Sequence, residues 1–132
     1  MSAVVADTHA LIWFVAERNM LSAKALKALD DADAIGEIYV PAMVLVEMRY
    51  LIEKRTITES VFDYVVNALA DPTSSLKLIP LDLDCAKAVG RIARAIVPDM
   101  PDRVIAATAL ELGLPLVTRD HKIIASGILT IW

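Results

Sequence analysis

VVADTHALIW, residues 4–13, sets a valine-rich run against a second apolar run, with an aspartate, a threonine and a histidine between them. The first part suits a strand buried on both faces. From residue 8 to about 16 the chain is apolar on nearly every side, which suits a buried helix. Asp7 stands at the junction. Taking a carboxylate from water into apolar surroundings is costly unless something pairs with it. The stretch therefore predicts a strand-to-helix turn, and it asks what Asp7 pairs with.

Working outward, Ser22 is placed to cap a second helix over SAKALKALDDAD. Residues 37–40 (EIYV) form a second strand ended by Pro41, and a long helix follows over about 42–54. Thr58 and Glu59 open another helix with Val61, Tyr64, Val65 and Leu69 along one side. Residues 71–75 (DPTSS) are a loop, and 76–80 a third strand. Asp82 or Asp84 caps a helix running to about Arg94. After Pro98 and Pro101 comes the helix DRVIAATALELG, closed by Gly113. Residues 114–118 make a fourth strand, 120–125 a helical turn, and 128–132 a last strand. Strands alternating with helices predict an α/β fold with a mainly parallel sheet. Repeats, low-complexity tracts and linkers are absent, so one domain over residues 1–132 is expected.

Composition narrows the class. The chain is 57% apolar and only 23% charged, which excludes disorder and leaves a thin polar coat, as for a protein with a covered subunit or partner surface. A formal net charge of -4 argues against a protein that coats nucleic acid, while a local basic rim would still serve a nucleic-acid enzyme. The single cysteine, Cys85, fits a reducing cytosol and reads as a small core residue. No apolar run is of membrane-spanning length, and the first residues lack a basic leader. A cytoplasmic protein without a membrane span is expected.

In α/β folds, sites gather at the carboxyl ends of the strands. Asp7 follows the first strand, Asp120 follows the fourth, and Asp102 opens the helix after the two prolines. Each alone is adequately explained as a helix cap or first-turn residue worth about 1 kcal/mol. Glu47 is different. It lies mid-helix, where no capping role exists, and its neighbours three and four residues away are Met43, Val44, Tyr50 and Leu51. A hydrogen bond from Tyr50 is the plain structural explanation for it. Glu53, four residues after Arg49, reads as half of a solvated ion pair. If the four acids converge, mutual repulsion raises their pKa values or drives them apart unless a divalent cation removes it. An all-oxygen donor set suits Mg2+ or Mn2+. There is no HExxH or paired CxxC spacing for zinc.

VVADTHALIW, the mid-helix Glu47, PDRVIAATALELGLPLVTRD and the closing ILTIW together resemble PIN-domain proteins, and within them VapC-type toxin ribonucleases of toxin–antitoxin pairs. The resemblance spans essentially the whole chain. It implies a three-layer α/β/α fold around a central, mainly parallel sheet, and an Mg2+-dependent endoribonuclease (Mn2+ as a substitute). It carries the family's four acids onto Asp7, Glu47, Asp102 and Asp120. The run before Glu47, residues 41–46 (PAMVLV), departs from relatives that often hold a serine or tryptophan nearby.

On that reading Asp7 and Asp102 are the primary metal ligands, with Asp120 and Glu47 secondary or water-mediated. RNA phosphodiesters would be hydrolysed to 5′-phosphate and 3′-hydroxyl ends. Thr8 and Thr118 would orient a carboxylate or water. Arg103, Arg119 and Lys122, each close in sequence to an acid, would hold phosphates, although ordinary surface charge explains Lys122 equally well. The rivals are a metal-independent ribonuclease built on His9 and His121 and a non-catalytic RNA-binding or scaffold module. A phosphoaspartyl phosphatase is disfavoured by His9, where a second aspartate would be wanted. The resemblance also implies a homodimer and a VapB-like antitoxin. The first helix, with the apolar faces around residues 43–51 and 61–69, is expected to receive the second chain.

Overall fold

A computed structural model describes residues 3–132. Five parallel strands make one sheet: β1 (Val4–Ala6), β2 (Ile38–Pro41), β3 (Leu76–Ile79), β4 (Leu116–Val117) and β5 (Thr130–Ile131), in the spatial order β3-β2-β1-β4-β5. Around it lie α1 (Thr8–Ala16), α2 (Ala23–Ile35), α3 (Ala42–Glu53), α4 (Glu59–Ala70), α5 (Leu83–Ala88), α6 (Met100–Leu112) and α7 (His121–Ala125). The expected three-layer α/β/α arrangement is what the chain adopts. β1 is at the centre. The chain builds outward on one side through β2 and β3, then returns to add β4 and β5 on the other. Strand order thus reverses between β1 and β4, and in open parallel sheets the crevice at such a point, beyond the strand carboxyl ends, is where ligands bind.

The core follows from the sequence pattern. Val4, Val5 and Ala6 of β1 are all buried, as a strand covered on both faces must be. Ile38 and Val40 of β2, Leu116 and Val117 of β4, and Leu11, Leu29, Met48 and Ile105 from the helices join one continuous cluster. Ser22 caps α2 by accepting from the Ala25 N–H, and Gly36 ends that helix in the left-handed conformation at φ 79°. Gly113 does the same for α6 at φ 68°. At the 71–75 loop, Asp71 accepts from both the Thr73 N–H and its hydroxyl.

Several boundaries differ from the sequence expectation. α5 stops at Ala88 and passes into a 3₁₀ turn over Val89–Arg91, well short of Arg94. Of its two candidate caps, Asp82 serves, accepting from the Cys85 N–H. A 3₁₀ turn at Arg18–Met20 follows α1. α6 begins at Met100, capped by Asp99, so Asp102 lies within the first turn and does not open the helix. Pro101 does not stop it there, because a first-turn residue has no helical use for its N–H. Arg49 pairs with Glu59 across the α3–α4 turn, not with Glu53. The apolar perimeter of α1 is not an open surface: Leu11, Ile12, Trp13 and Phe14 are all buried within the chain, under α2, α3 and α4. No helix among the described residues is long and apolar enough to cross a membrane.

Candidate functional site

The β1–β4 register sets the site. Val5 pairs with Leu116 and Ala6 with Val117, and the Asp7 N–H donates to the Val117 carbonyl at 3.1 Å. Asp7 and Thr118 therefore leave their strands side by side. The Asp7 carboxylate, only 9% exposed, is satisfied at both oxygens: Oδ1 accepts from the Thr8 N–H at 2.8 Å and Oδ2 from the Thr118 hydroxyl at 2.6 Å. Thr118 turns the other way as well, its Oγ1 accepting from the Asp120 N–H at 3.1 Å. Thr8 reaches across to α3, donating its hydroxyl to Glu47 Oε1 at 2.6 Å. Thr8 and Thr118 thus tie three of the four sequence-selected acids into one network.

Glu47 receives its hydrogen bond from Thr8, not from Tyr50, which is mostly solvent-exposed on α3. Asp120 is at once a cap and a cleft residue. Its Oδ1 accepts from the Lys122 and Ile123 N–H groups at 2.9 and 3.0 Å, starting α7, while the side chain lines the same cavity as Asp7. Capping and site membership are therefore not alternatives here.

The cavity, about 330 Å3, is lined by Asp7, Thr8, His9, Trp13, Glu47, Asp99, Asp102, Arg119 and Asp120. Asp7, Glu47, Asp102 and Asp120 all meet in it. Asp99 is a fifth acid that the sequence reading missed. One carboxylate oxygen each from Glu47, Asp99 and Asp102 lies within 4.8 Å of the other two. The cue was present as PDMPD, residues 98–102. An acid at the helix cap and another three residues on lie on the same side of the first turn. Trp13 also escaped notice, absorbed into an apolar run.

Burial pushes the Asp7 carboxyl above the ordinary range, against the hydrogen bonds from Thr118 and Thr8 that hold it down, with Asp120 adding repulsion. Glu47 is likewise raised, by burial first and then by Asp7 and Asp99, while the Thr8 hydroxyl opposes the rise. Asp102 is affected most. Burial, then the charges of Asp99, Asp120, Asp7 and Glu47, push it up to about 8. Three carboxylate oxygens in mutual reach are a group that could hold a hard cation. The donors fit Mg2+ or Mn2+ and offer no sulfur or imidazole set for zinc.

The basic residues divide. Arg119 lines the cavity, its guanidinium carbon 4.6 Å from the centre of the Trp13 ring. Arg103 does not line it. Its Nε donates to the Ile92 carbonyl at 2.9 Å, bracing α6 against the turn that precedes it. Lys122 lies on a shallower exposed surface with Asp102, Arg119, Asp120 and His121. His9 lines the cavity, and His121 does not.

Comparison with known proteins agrees with this geometry. Residues 4–127 match the family model for the PIN domain. Ribonuclease VapC22 of Mycobacterium tuberculosis is 29% identical over 123 residues, covering 93% of this chain and 91% of that protein. Among solved structures, VapBC2 from Rickettsia felis bound to a DNA fragment from their promoter superposes with a TM-score of 0.71 at 17% identity, over 98% of this chain and 99% of that one. FitAcB from Neisseria gonorrhoeae gives a TM-score of 0.62 at 20% identity, over 96% and 95%. At such identities these two likenesses speak for the fold. With the family model spanning both strands of the switch point and every acid of the cleft, the chain belongs to the PIN domain family.

Proposed function

We propose that this protein is an Mg2+-dependent endoribonuclease, with Mn2+ as a working substitute, and the toxin of a VapBC-type pair. The observation that carries the reading is the meeting of Glu47, Asp99 and Asp102 oxygens beside Asp7 and Asp120 in one cleft. An excess of carboxylate repels a phosphodiester unless a cation intervenes. Asp7 and Asp102 are the primary ligands on this reading, with Glu47, Asp99 and Asp120 completing the shell directly or through water. A bound divalent cation supplies Lewis acidity toward the phosphoryl group and makes water a better nucleophile at neutral pH.

The chain's own residues do the rest. Thr8 and Thr118 fix the Asp7 carboxylate from both sides, so its orientation does not depend on the ligand. Glu47, held at Oε1 by Thr8 and raised by burial, takes up a proton at a carboxylate oxygen as water is activated. Arg119 supplies positive charge on the open side of the cleft. Hydrolysis then leaves 5′-phosphate and 3′-hydroxyl ends. The two-histidine alternative gains nothing from the geometry, since His9 and His121 do not line one cavity.

The toxin assignment draws on the likeness to Ribonuclease VapC22 and implies a homodimer, an antitoxin partner and a cytoplasmic setting. Of the helix faces named for a second chain, those on α3 and α4 remain open, with Val46, Tyr50, Tyr64 and Val66 exposed. The test is cleavage of single-stranded RNA with Mg2+ and with excess chelator, followed by end-group analysis. Cleavage only with the metal, leaving 5′-phosphates, supports the reading. Cleavage in chelator, or cyclic phosphate ends, defeats it. Co-purification with the product of the neighbouring gene tests the toxin role separately.

A further inference from the structure

The cleft contains five carboxylates and, among the described residues lining it, one guanidinium, that of Arg119. Coulomb attraction alone would fold that side chain onto Asp120, its neighbour in the chain, or onto Asp102. It does neither. Ion pairs among the described residues join Arg18 to Asp30, Lys27 to Asp31, Arg49 to Glu59 and Arg91 to Glu111, and Arg119 takes part in none of them. Its guanidinium instead rests over the Trp13 indole, 4.6 Å from the ring centre.

Trp13 is itself held. It is buried in α1, with Trp132, just past β5, packed against it at 5.9 Å and 56° between ring planes, and His9 tilted against it at 5.4 Å. Trp132 and the Arg119 guanidinium, both more than a hundred residues beyond Trp13, thus pack on the same indole. An indole face attracts a guanidinium without using its N–H donors. No ion pair among the described residues takes up those of Arg119. A guanidinium so left is suited to paired hydrogen bonds with two phosphate oxygens.

We infer that Arg119 is the phosphate-binding group of this cleft and that Trp13, backed by Trp132, is its positioning residue, with the identity of the substrate resting on the nuclease reading above. This packing keeps Arg119, the one guanidinium among the described lining residues, from being neutralised by the acids around it. The cleft thus offers carboxylates for a cation and a restrained guanidinium for the phosphate chain. Trp132 acts through Trp13, against whose ring it packs.

The experiment is equilibrium binding of a short fluorescein-labelled single-stranded DNA oligonucleotide to the full chain in calcium, over a range of salt. Kinetics of RNA cleavage in Mg2+ are measured on the same variants. Arg119→Gln is expected to weaken oligonucleotide binding about tenfold and to reduce the log–log salt slope by about 0.7, one phosphate contact on a single strand. Trp132→Leu is expected to weaken it about threefold, and to add nothing further in the Arg119→Gln background. In cleavage both changes raise KM and spare kcat. Trp132→Phe, which keeps an aromatic ring against Trp13, restores most of the binding even if the leucine variant melts early.

Unchanged binding and salt slope in Arg119→Gln would overturn the inference, as would full multiplication of the two effects in the double variant. Wild-type protein that fails to bind the oligonucleotide overturns it too. Binding by the wild type without RNA cleavage would instead remove the nuclease reading and leave the phosphate site standing. Cleavage with unchanged KM in Arg119→Gln would do the reverse.

Discussion

The two halves of the acidic cleft treat the same functional group in opposite ways. On the β1 side, Asp7 is buried, yet both its oxygens are satisfied, by the Thr8 N–H and the Thr118 hydroxyl, and Glu47 is tethered by the Thr8 hydroxyl. On the α6 side, Asp99 and Asp102 share a helical turn and stand near Glu47, and among the described residues none of the three joins an ion pair. The Asp99 carboxylate accepts the Asp102 N–H at 3.2 Å, which fixes the backbone and gives the Asp102 carboxyl no donor. One half is wired in advance and the other is left in conflict. On the proposed reading the wired half supplies precision and the conflicted half affinity for a cation, which would displace a proton to relieve the repulsion.

The largest expected effect breaks both halves. Asp7→Asn and Asp102→Asn should each abolish RNA cleavage while the protein stays folded. Asp102→Asn should also raise the melting temperature of the metal-free protein at neutral pH, since the amide needs no proton uptake on folding to sit beside the other acids. Asp7→Asn should not, because an amide has one oxygen and cannot accept from both the Thr8 N–H and the Thr118 hydroxyl. Equal thermal gains in the two variants would erase the distinction.

The pH dependence of stability sharpens it. Asp102 rises from an ordinary 3.8 to about 8 in the folded chain. It therefore binds its proton more tightly folded than unfolded. Its contribution is complete below pH about 4 and is lost as pH climbs through about 8. Metal-free protein should accordingly lose melting temperature between pH 5 and 8.5, on the order of a few degrees, and added Mg2+ should restore more at pH 8 than at pH 6. A flat profile without metal would contradict the repulsion.

Thr118→Val tests the wired half alone. It removes the hydroxyl that serves Asp7 and accepts from the Asp120 N–H. A loss of about 1–3 kcal/mol in stability is expected from the buried groups left unsatisfied. Cleavage should fall about 10–100-fold, as for removal of a group that orients a metal ligand. Smaller still is Arg103→Ala, outside both halves. It should cost about 1–2 kcal/mol, through the lost bond to the Ile92 carbonyl, with metal affinity and cleavage per folded molecule retained. Denaturant unfolding beside a cleavage assay separates the two outcomes.

Much of this was legible in the chain. The valine run with Asp7 at its end located both the central strand and the cleft, because a doubly buried strand admits a carboxylate only where it emerges. Glu47 was legible because a charge on an apolar helix face has no local excuse. What stayed hidden was relational. Asp99 looked like loop, since Pro101 suggested that the helix begins after it, yet the first turn tolerates proline. The α1 perimeter looked like a binding face, since sequence shows how apolar a helix is and not how many neighbours cover it. Trp13 had the same difficulty: nothing local says that Trp132 and Arg119, more than a hundred residues away, stack on it. Arg103 beside Asp102 looked like a phosphate ligand because adjacency in sequence says nothing of direction, and on the helix its side chain leaves toward Ile92.

Calorimetric titration of Mn2+ into the metal-free protein at pH 7, in buffers of different ionisation enthalpy, tests the central claim most directly. A carboxyl at about 8 is mostly protonated there, so a cation binding to the conflicted half must expel that proton. The account predicts saturable binding with release of close to one proton, and loss of both the release and most of the affinity in Asp102→Asn. Absence of binding, or binding that releases no proton and is indifferent to Asp102→Asn, would contradict it.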